Sequence, residues 1–207
     1  MNPAPKHFSM LRTFVLADFI TLGNAASGMG AILACLAYAE QREASFLWTA
    51  LALFPVALVC DVLDGSVARW RRKHSPIGAD LDSLADVVSF GVAPAVLGYT
   101  LGLRGGWDAV VLIYFVGCGI SRLARFNVTA EALTTDAGKV SHFEGTPIPT
   151  SLLVVLIFGV AFAQGAVHEG LWGGVWQIGP WGLHPMVFLY LLSGSAMVSA
   201  RLRIPKP

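Results

Sequence analysis

The sequence predicts an all-α, polytopic membrane protein with six transmembrane helices and both termini in the cytoplasm. Three observations lead there. Hydrophobic residues make up 55% of the 207 residues and charged residues 13%, with a mean hydropathy of +0.65. An average soluble domain carries about 25% charged residues, so a water-soluble enzyme of this size could not cover its surface. Six apolar stretches approach the roughly 20 residues needed to cross a bilayer. The basic residues then fall almost wholly on one side of those stretches. The apolar content also excludes disorder. The net charge of +1 argues against a nucleic-acid partner.

The spans follow in order. Phe19–Ala39 comes first, behind Lys6 and Arg12. The apolar run from Phe14 to Ala39 is too long for the core of a signal peptide, and further spans follow. Phe46–Val67 and Ala79–Leu101 are the second and third. Trp107–Ile120 is short unless it continues through Ser121–Phe126. Pro147–Val167 and His184–Ala200 complete the set. Between these last two, Trp172, Trp176 and Trp181 mark a membrane interface. No repeat or low-complexity linker divides the chain, which reads as one domain over residues 1–207. Cys35, Cys60 and Cys118 have no paired spacing and read as small buried hydrophobes.

Orientation comes from Lys and Arg. With both ends inside, twelve of the fourteen basic residues are cytoplasmic, and only Arg42 and Arg104 face the other side. Of the cytoplasmic cluster after the second span, Arg71, Arg72 and Lys73 read as topology and headgroup determinants. Arg69 can hold a phosphate through two parallel hydrogen bonds.

Four acids stand where a lipid-facing helix would not tolerate them. Asp61 and Asp64 are at i, i+3 near the end of the second span, and Asp82 and Asp86 are at i, i+4 near the start of the third. Each pair therefore occupies one helical face. The short basic connection makes the two helices antiparallel neighbours, so the pairs can converge at the cytoplasmic end. An ionised Asp in a bilayer costs at least about 2.5–3.5 kcal/mol on insertion scales, and four carboxylates also repel one another. Two divalent cations, Mg²⁺ or Mn²⁺, resolve both problems with hard oxygen ligands. Asp80 is offset by about 200° from Asp82 at 100° per residue, and reads as a first-turn acid facing the helix dipole. Gly65, Ala68 and Gly78 let a large ligand approach the backbone, or let helices pack tightly.

Written out, residues 61–86 are D-V-L-D-G-S-V-A-R, eight residues, then G-A-D-L-D-S-L-A-D. This resembles the signature of the CDP-alcohol phosphotransferase family, D-x2-D-G-x2-A-R-x8-G-x3-D-x3-D, at all eight fixed positions. The resemblance implies six transmembrane helices, a two-metal site and a homodimer. It implies transfer of a phosphoalcohol group from a CDP-linked donor to an acceptor hydroxyl. It places metal ligation on Asp61, Asp64, Asp82 and Asp86, and makes Asp86 the base for the acceptor. It places CDP near Gly65, Ala68, Arg69 and Gly78.

Further segments narrow the branch. Asp82–Ala95, Ser121–Asn127, His142–Pro149, Ser195–Ser199 and the early T-L-x-N of Thr21–Asn24 are similar to the CDP-diacylglycerol–serine O-phosphatidyltransferases. Thr146 departs from that pattern, which has Leu there. This resemblance implies CDP-diacylglycerol and L-serine as substrates, and a site on the cytoplasmic side of the cell membrane, a bacterial inner membrane. The residues agree with an amino-acid acceptor. Arg122 and Arg125 at i, i+3 can share a face and hold a carboxylate, while Asn127 or Glu144 meets the ammonium. The arginines could instead snorkel to lipid phosphates. Thr21 and Asn24, also at i, i+3, can hydrogen-bond the nucleotide or a neighbouring helix. Two alternatives remain open. One is another acceptor (glycerol 3-phosphate, inositol phosphate or choline), and the other is a cation transporter with the four Asp as its permeation site.

Overall fold

A computed structural model describes residues 14–71, 77–135, 142–199 and 203–205. It is built mainly of helices. Helix α1 covers Leu16–Gln41, α2 Ala44–Arg71, α3 Gly78–Asp86, α4 Ala93–Leu101 and α5 Gly106–Thr135. Helix α6 covers Leu152–Ala163 and α7 Phe188–Met197. Four helical segments are long and apolar enough to cross a membrane: Leu16–Gln41, Ala44–Val67, Gly78–Leu101 and Gly106–Val128. The fourth expected span thus continues well past Ile120. The expected fifth and sixth are shorter apolar helices, Ile148–Ala163 and Pro185–Met197.

Helix α1 owes its place to a seam of small and polar residues. Ala17, Thr21, Asn24, Gly28, Ala31, Cys35 and Tyr38 recur at alternating spacings of four and three, and all are buried. That period keeps one face of a helix toward its partners, and small residues let helices approach without hydrophobic driving force in lipid. Gly28 shows how close the approach is: a Cβ there would sit 2.7 Å from Cα of Ser89. Away from this seam, large apolar side chains of α1 face outward, Phe19 and Leu33 each 55% exposed, as do Ile113 of α5 and Leu192 of α7. An apolar exterior is the arrangement a lipid surroundings permits and water does not.

The third long segment is not a uniform helix. Between α3 and α4, Val87–Val92 form a π-helical stretch. Pro94 accounts for it, because its nitrogen has no hydrogen to donate to the carbonyl of Phe90. The amide of Ala93 instead reaches Val88 O, five residues back. Such bulges frequently occur beside functional sites. The carbonyl of Pro94 accepts the hydroxyl of buried Tyr190 at 2.6 Å. Tyr190 also packs edge-on with Phe115 at 5.2 Å between centroids, joining α4, α5 and α7 in the core.

At the opposite end of the bundle from the aspartates, strands β2 (Trp176–Ile178) and β3 (Trp181–Leu183) form a hairpin. Gly179 has φ +63°, which with Pro180 next fits a two-residue type II′ turn. Trp172, Trp176 and Trp181 are exposed there, as expected of an interface. Asp108 ties this region to α5. Its carboxylate accepts from the amides of Gly105 and His184, each at 2.8 Å, and contacts His184 Nδ1 at 2.6 Å. A second antiparallel ribbon pairs β1 (His142–Glu144) with β4 (Arg203–Pro205).

Candidate active site

The aspartates converge as the spacing requires. Carboxylate oxygens of Asp61, Asp64 and Asp82 all come within 4.8 Å of one another. The i, i+3 spacing on α2 and the antiparallel start of α3 bring them to one depth. Asp86 lies one helical turn deeper and outside that set, but within electrostatic reach of all three. Asp64 and Asp86 are buried.

Helix α1 supplies what holds the acids in place. Thr21 Oγ1 donates to Asp64 Oδ2 at 2.6 Å. Asn24 Nδ2 donates to Asp86 Oδ1 at 3.1 Å. Ser89 Oγ donates to the carbonyl of Asn24 at 2.9 Å, fixing that turn of α1 against the π segment. Thr21 and Asn24 are therefore engaged with carboxylates across the helix interface. The reason is the close α1 packing, which brings the i, i+3 pair directly onto the acids.

The site fits a divalent metal. Its donors are carboxylate oxygens, the hard ligands that Mg²⁺ and Mn²⁺ prefer. Oδ1 of Asp82 is buried without a hydrogen-bond partner. A buried carboxylate oxygen left unpaired among like charges is a strong indication of a cation position. Oδ1 of Asn24 is likewise buried and unpartnered.

The remaining residues separate. Gly65 continues α2 past Asp64, and Gly78 is the first residue of α3, so both flank the cluster. The side chains of Ala68, Arg69 and Glu144 lie outside the described part of the structure. Glu144 is placed only by its backbone, which pairs with Arg203. Arg122 is half-buried and within electrostatic reach of Asp86. Its Nε donates to the carbonyl of Thr146 at 2.7 Å. Arg125, in contrast, is exposed. The two arginines are about 60° apart around α5, and Arg122 stands on the inner side of that arc while Arg125 is at the exposed side. Asn127 is engaged with Ser83 of α3 at 3.0 Å. Asp80 is exposed in the first turn of α3.

Sequence reasoning missed Asp18. It is 2% exposed, caps α1 by accepting from the Val15 amide at 2.9 Å, and lies within electrostatic reach of Asp64. The available signal was its i, i+3 spacing to Thr21. Thr146 was noted only as a departure, whereas its carbonyl anchors Arg122.

This is the architecture of a membrane-embedded phosphotransferase site, and residues 14–192 match the CDP-alcohol phosphatidyltransferase family, to which the chain belongs. Among individual proteins, the chain is similar to the CDP-diacylglycerol–serine O-phosphatidyltransferase of Saccharomyces cerevisiae. The two are 39% identical over 97% of this chain and 74% of the yeast protein. The protein of that name from Mycobacterium bovis is 35% identical over 81% of this chain. The archaetidylserine synthase of Methanothermobacter thermautotrophicus is 38% identical over 69% of it. The chain spans a little over half the length of these last two relatives, 56% and 57%.

Proposed function

We propose that the chain transfers the phosphatidyl group of CDP-diacylglycerol to the hydroxyl of L-serine, with release of CMP. The observation that carries this reading is the convergence of carboxylates from α2 and α3 in a chain whose relatives bear that enzyme name. Asp61, Asp64, Asp82 and Asp86 would hold the divalent metals, the first three with carboxylate oxygens within 4.8 Å of one another. Two such ions, Mg²⁺ or Mn²⁺, when bound supply neutralisation of the diphosphate and polarisation of the phosphorus under attack.

The serine oxygen attacks the phosphatidyl phosphorus, and the bond from that phosphorus to the CMP oxygen breaks. Asp86 accepts the hydroxyl proton, and CMP leaves with the electron pair. The position of Asp86 outside the three-carboxylate set supports this role. Asn24 orients Asp86, and Thr21 orients Asp64. Gly65, Ala68, Arg69 and Gly78 flank the diphosphate. Arg122 offers its terminal nitrogens to the carboxylate of serine, since its Nε is committed to Thr146. Asn127 and Glu144 are the candidates for the ammonium, with Arg125 at the rim. The diacylglycerol tails stay in the bilayer, which is the reason for placing such a site within the membrane. The same reading puts both termini and the site on the cytoplasmic face of a cell membrane, with α6 and α7 completing six crossings, and pairs the chain as a homodimer.

The test is CMP release by purified protein supplied with CDP-diacylglycerol and one acceptor at a time. Serine is expected to support release, with loss on chelation and recovery with Mn²⁺ or Mg²⁺. Release with glycerol 3-phosphate, inositol phosphate or choline but not serine would overturn the acceptor assignment.

A further inference from the structure

The end of the bundle remote from the aspartates carries chemistry that the proposed reaction does not use. Arg42 caps α1 in the left-handed region, at φ +59°. Its Nη1 donates to Nε2 of His168, in the turn after α6. The loop between α4 and α5 packs against the same histidine, since a Cβ on Gly102 would lie 2.7 Å from the His168 Cα. That loop brings Arg104 within electrostatic reach of His168. Arg104 is anchored in turn, with Nε donating to the Tyr99 carbonyl at 3.3 Å and the guanidinium 5.3 Å from the Tyr99 ring centroid. Burial, then the two guanidiniums, lower the pKa of His168, so it stands neutral and accepts from Arg42.

Among the described residues no carboxylate is ion-paired with either guanidinium. The carboxylate of Glu43, adjacent to Arg42, is engaged by the Ser45 hydroxyl at 2.7 Å. Two positive charges thus flank His168 without an ion-paired carboxylate among the described residues.

Arg104 stands at the end of an apolar groove of about 640 Å³ between α1, α4 and α5, and Arg42 meets it across His168. Arg104 and Tyr99 line its charged end, and Leu112, Gly117 and Ile120 follow along α5. From Leu112 to Ile120 a helix rises about 12 Å. That is close to the ~15 Å of hydrocarbon in one leaflet, half of a core of about 30 Å. On α1, Ala39 lines the groove and Arg42 follows it by three residues. The groove is open at Gly117, where an added Cβ would meet nothing within 4 Å.

We propose that this groove binds an anionic phospholipid, its phosphate between Arg42 and Arg104 and one acyl chain along α5 past Gly117. Free phosphate would satisfy the guanidiniums but leave the groove unused. A helix from a second copy would fill the groove but would present an apolar face, and no counter-charge, to the two exposed guanidiniums at its end. The anionic lipid matches both ends. This site is distinct from the donor site at the aspartates, at the other end of the helices.

Native mass spectrometry of the purified full chain in mild detergent tests the proposal, with phosphatidylglycerol or phosphatidylcholine added. Phosphatidylglycerol should be retained in preference to phosphatidylcholine. Combining Arg42→Gln with Arg104→Gln should weaken phosphatidylglycerol retention about thirtyfold, at about one basic contact each. Should that variant not fold, Arg104→Gln alone should show about a fivefold loss. Gly117→Phe, which fills the groove and keeps both charges, should also displace the lipid. Three results would overturn the proposal. They are equal retention of the two lipids, phosphatidylglycerol retention unchanged by Gly117→Phe, and a disulfide between two copies of a Gly117→Cys variant.

Discussion

Asn24 is the residue whose role the structure changes most. Its amide spans from α1 to Asp86, and its own oxygen is left buried and unpartnered beside the carboxylates. Partners that orient metal ligands typically contribute 10–100-fold to metal affinity. Asn24→Ala should therefore shift the Mn²⁺ dependence of CMP release to about 10–100-fold higher concentration. Thr21→Val should act in the same direction through Asp64. An unchanged metal dependence in both variants would show that α1 does not position the acids. Asp64→Asn and Asp86→Asn should each abolish transfer with the fold retained, and turnover surviving in both would refute the metal site. The four aspartates were legible because an acid in an apolar stretch has few structural explanations. The partners of Thr21 and Asn24 were not. The hydrogen bonds join residues 43 and 62 positions apart, and local spacing says nothing about what lies across a helix interface. The same limit hid the bond between Asp108 and His184, 76 positions apart.

At the scale of elements, the contact between α1 and the π segment sets the geometry of the site. Gly28 faces the backbone of Ser89, which cannot move aside as a flexible side chain would. Gly28→Val should overpack this contact at a cost of about 1–3 kcal/mol. At about 2–4 °C per kcal/mol for a chain of this size, thermal unfolding should fall by several degrees. Gly117→Ala is the control, because its added methyl meets open space. The π segment also widens the turn that faces α1. Removing Val88 would close the bulge to α register and withdraw Ser89 from its contact with the Asn24 carbonyl. Transfer should then be lost even where the protein still folds, and full activity would show that the bulge is incidental. Helix existence was legible from apolar length, including the first four spans. The π stretch was not, since Pro94 permits either a kink or a bulge and only the packing of Phe90 and Tyr190 selects between them.

At the scale of the whole molecule, sidedness is the outstanding property. Single cysteines placed at Gly179 and Ser199, in a background without Cys35, Cys60 and Cys118, should label from opposite faces of sealed vesicles. Ser199 should react from the cytoplasmic side, and labelling of both from one face would overturn the six-span arrangement. Charge asymmetry predicts this result, but it reports a bias in insertion and not the length of α6 or α7.

What the amino-acid order settles here is chemical inventory and helical phase. It places acids on shared faces at one end of two neighbouring helices, and it requires an apolar exterior, because both follow from spacing and transfer free energy along a single chain. What required the folded molecule is which groups meet across helices. Arg122 is half-buried and Arg125 exposed, Thr21 and Asn24 grip carboxylates, and the guanidiniums of Arg42 and Arg104 gather about His168 at the far end. Those outcomes depend on contacts between segments distant in sequence, decided by a few ångströms of helix approach that no local pattern encodes.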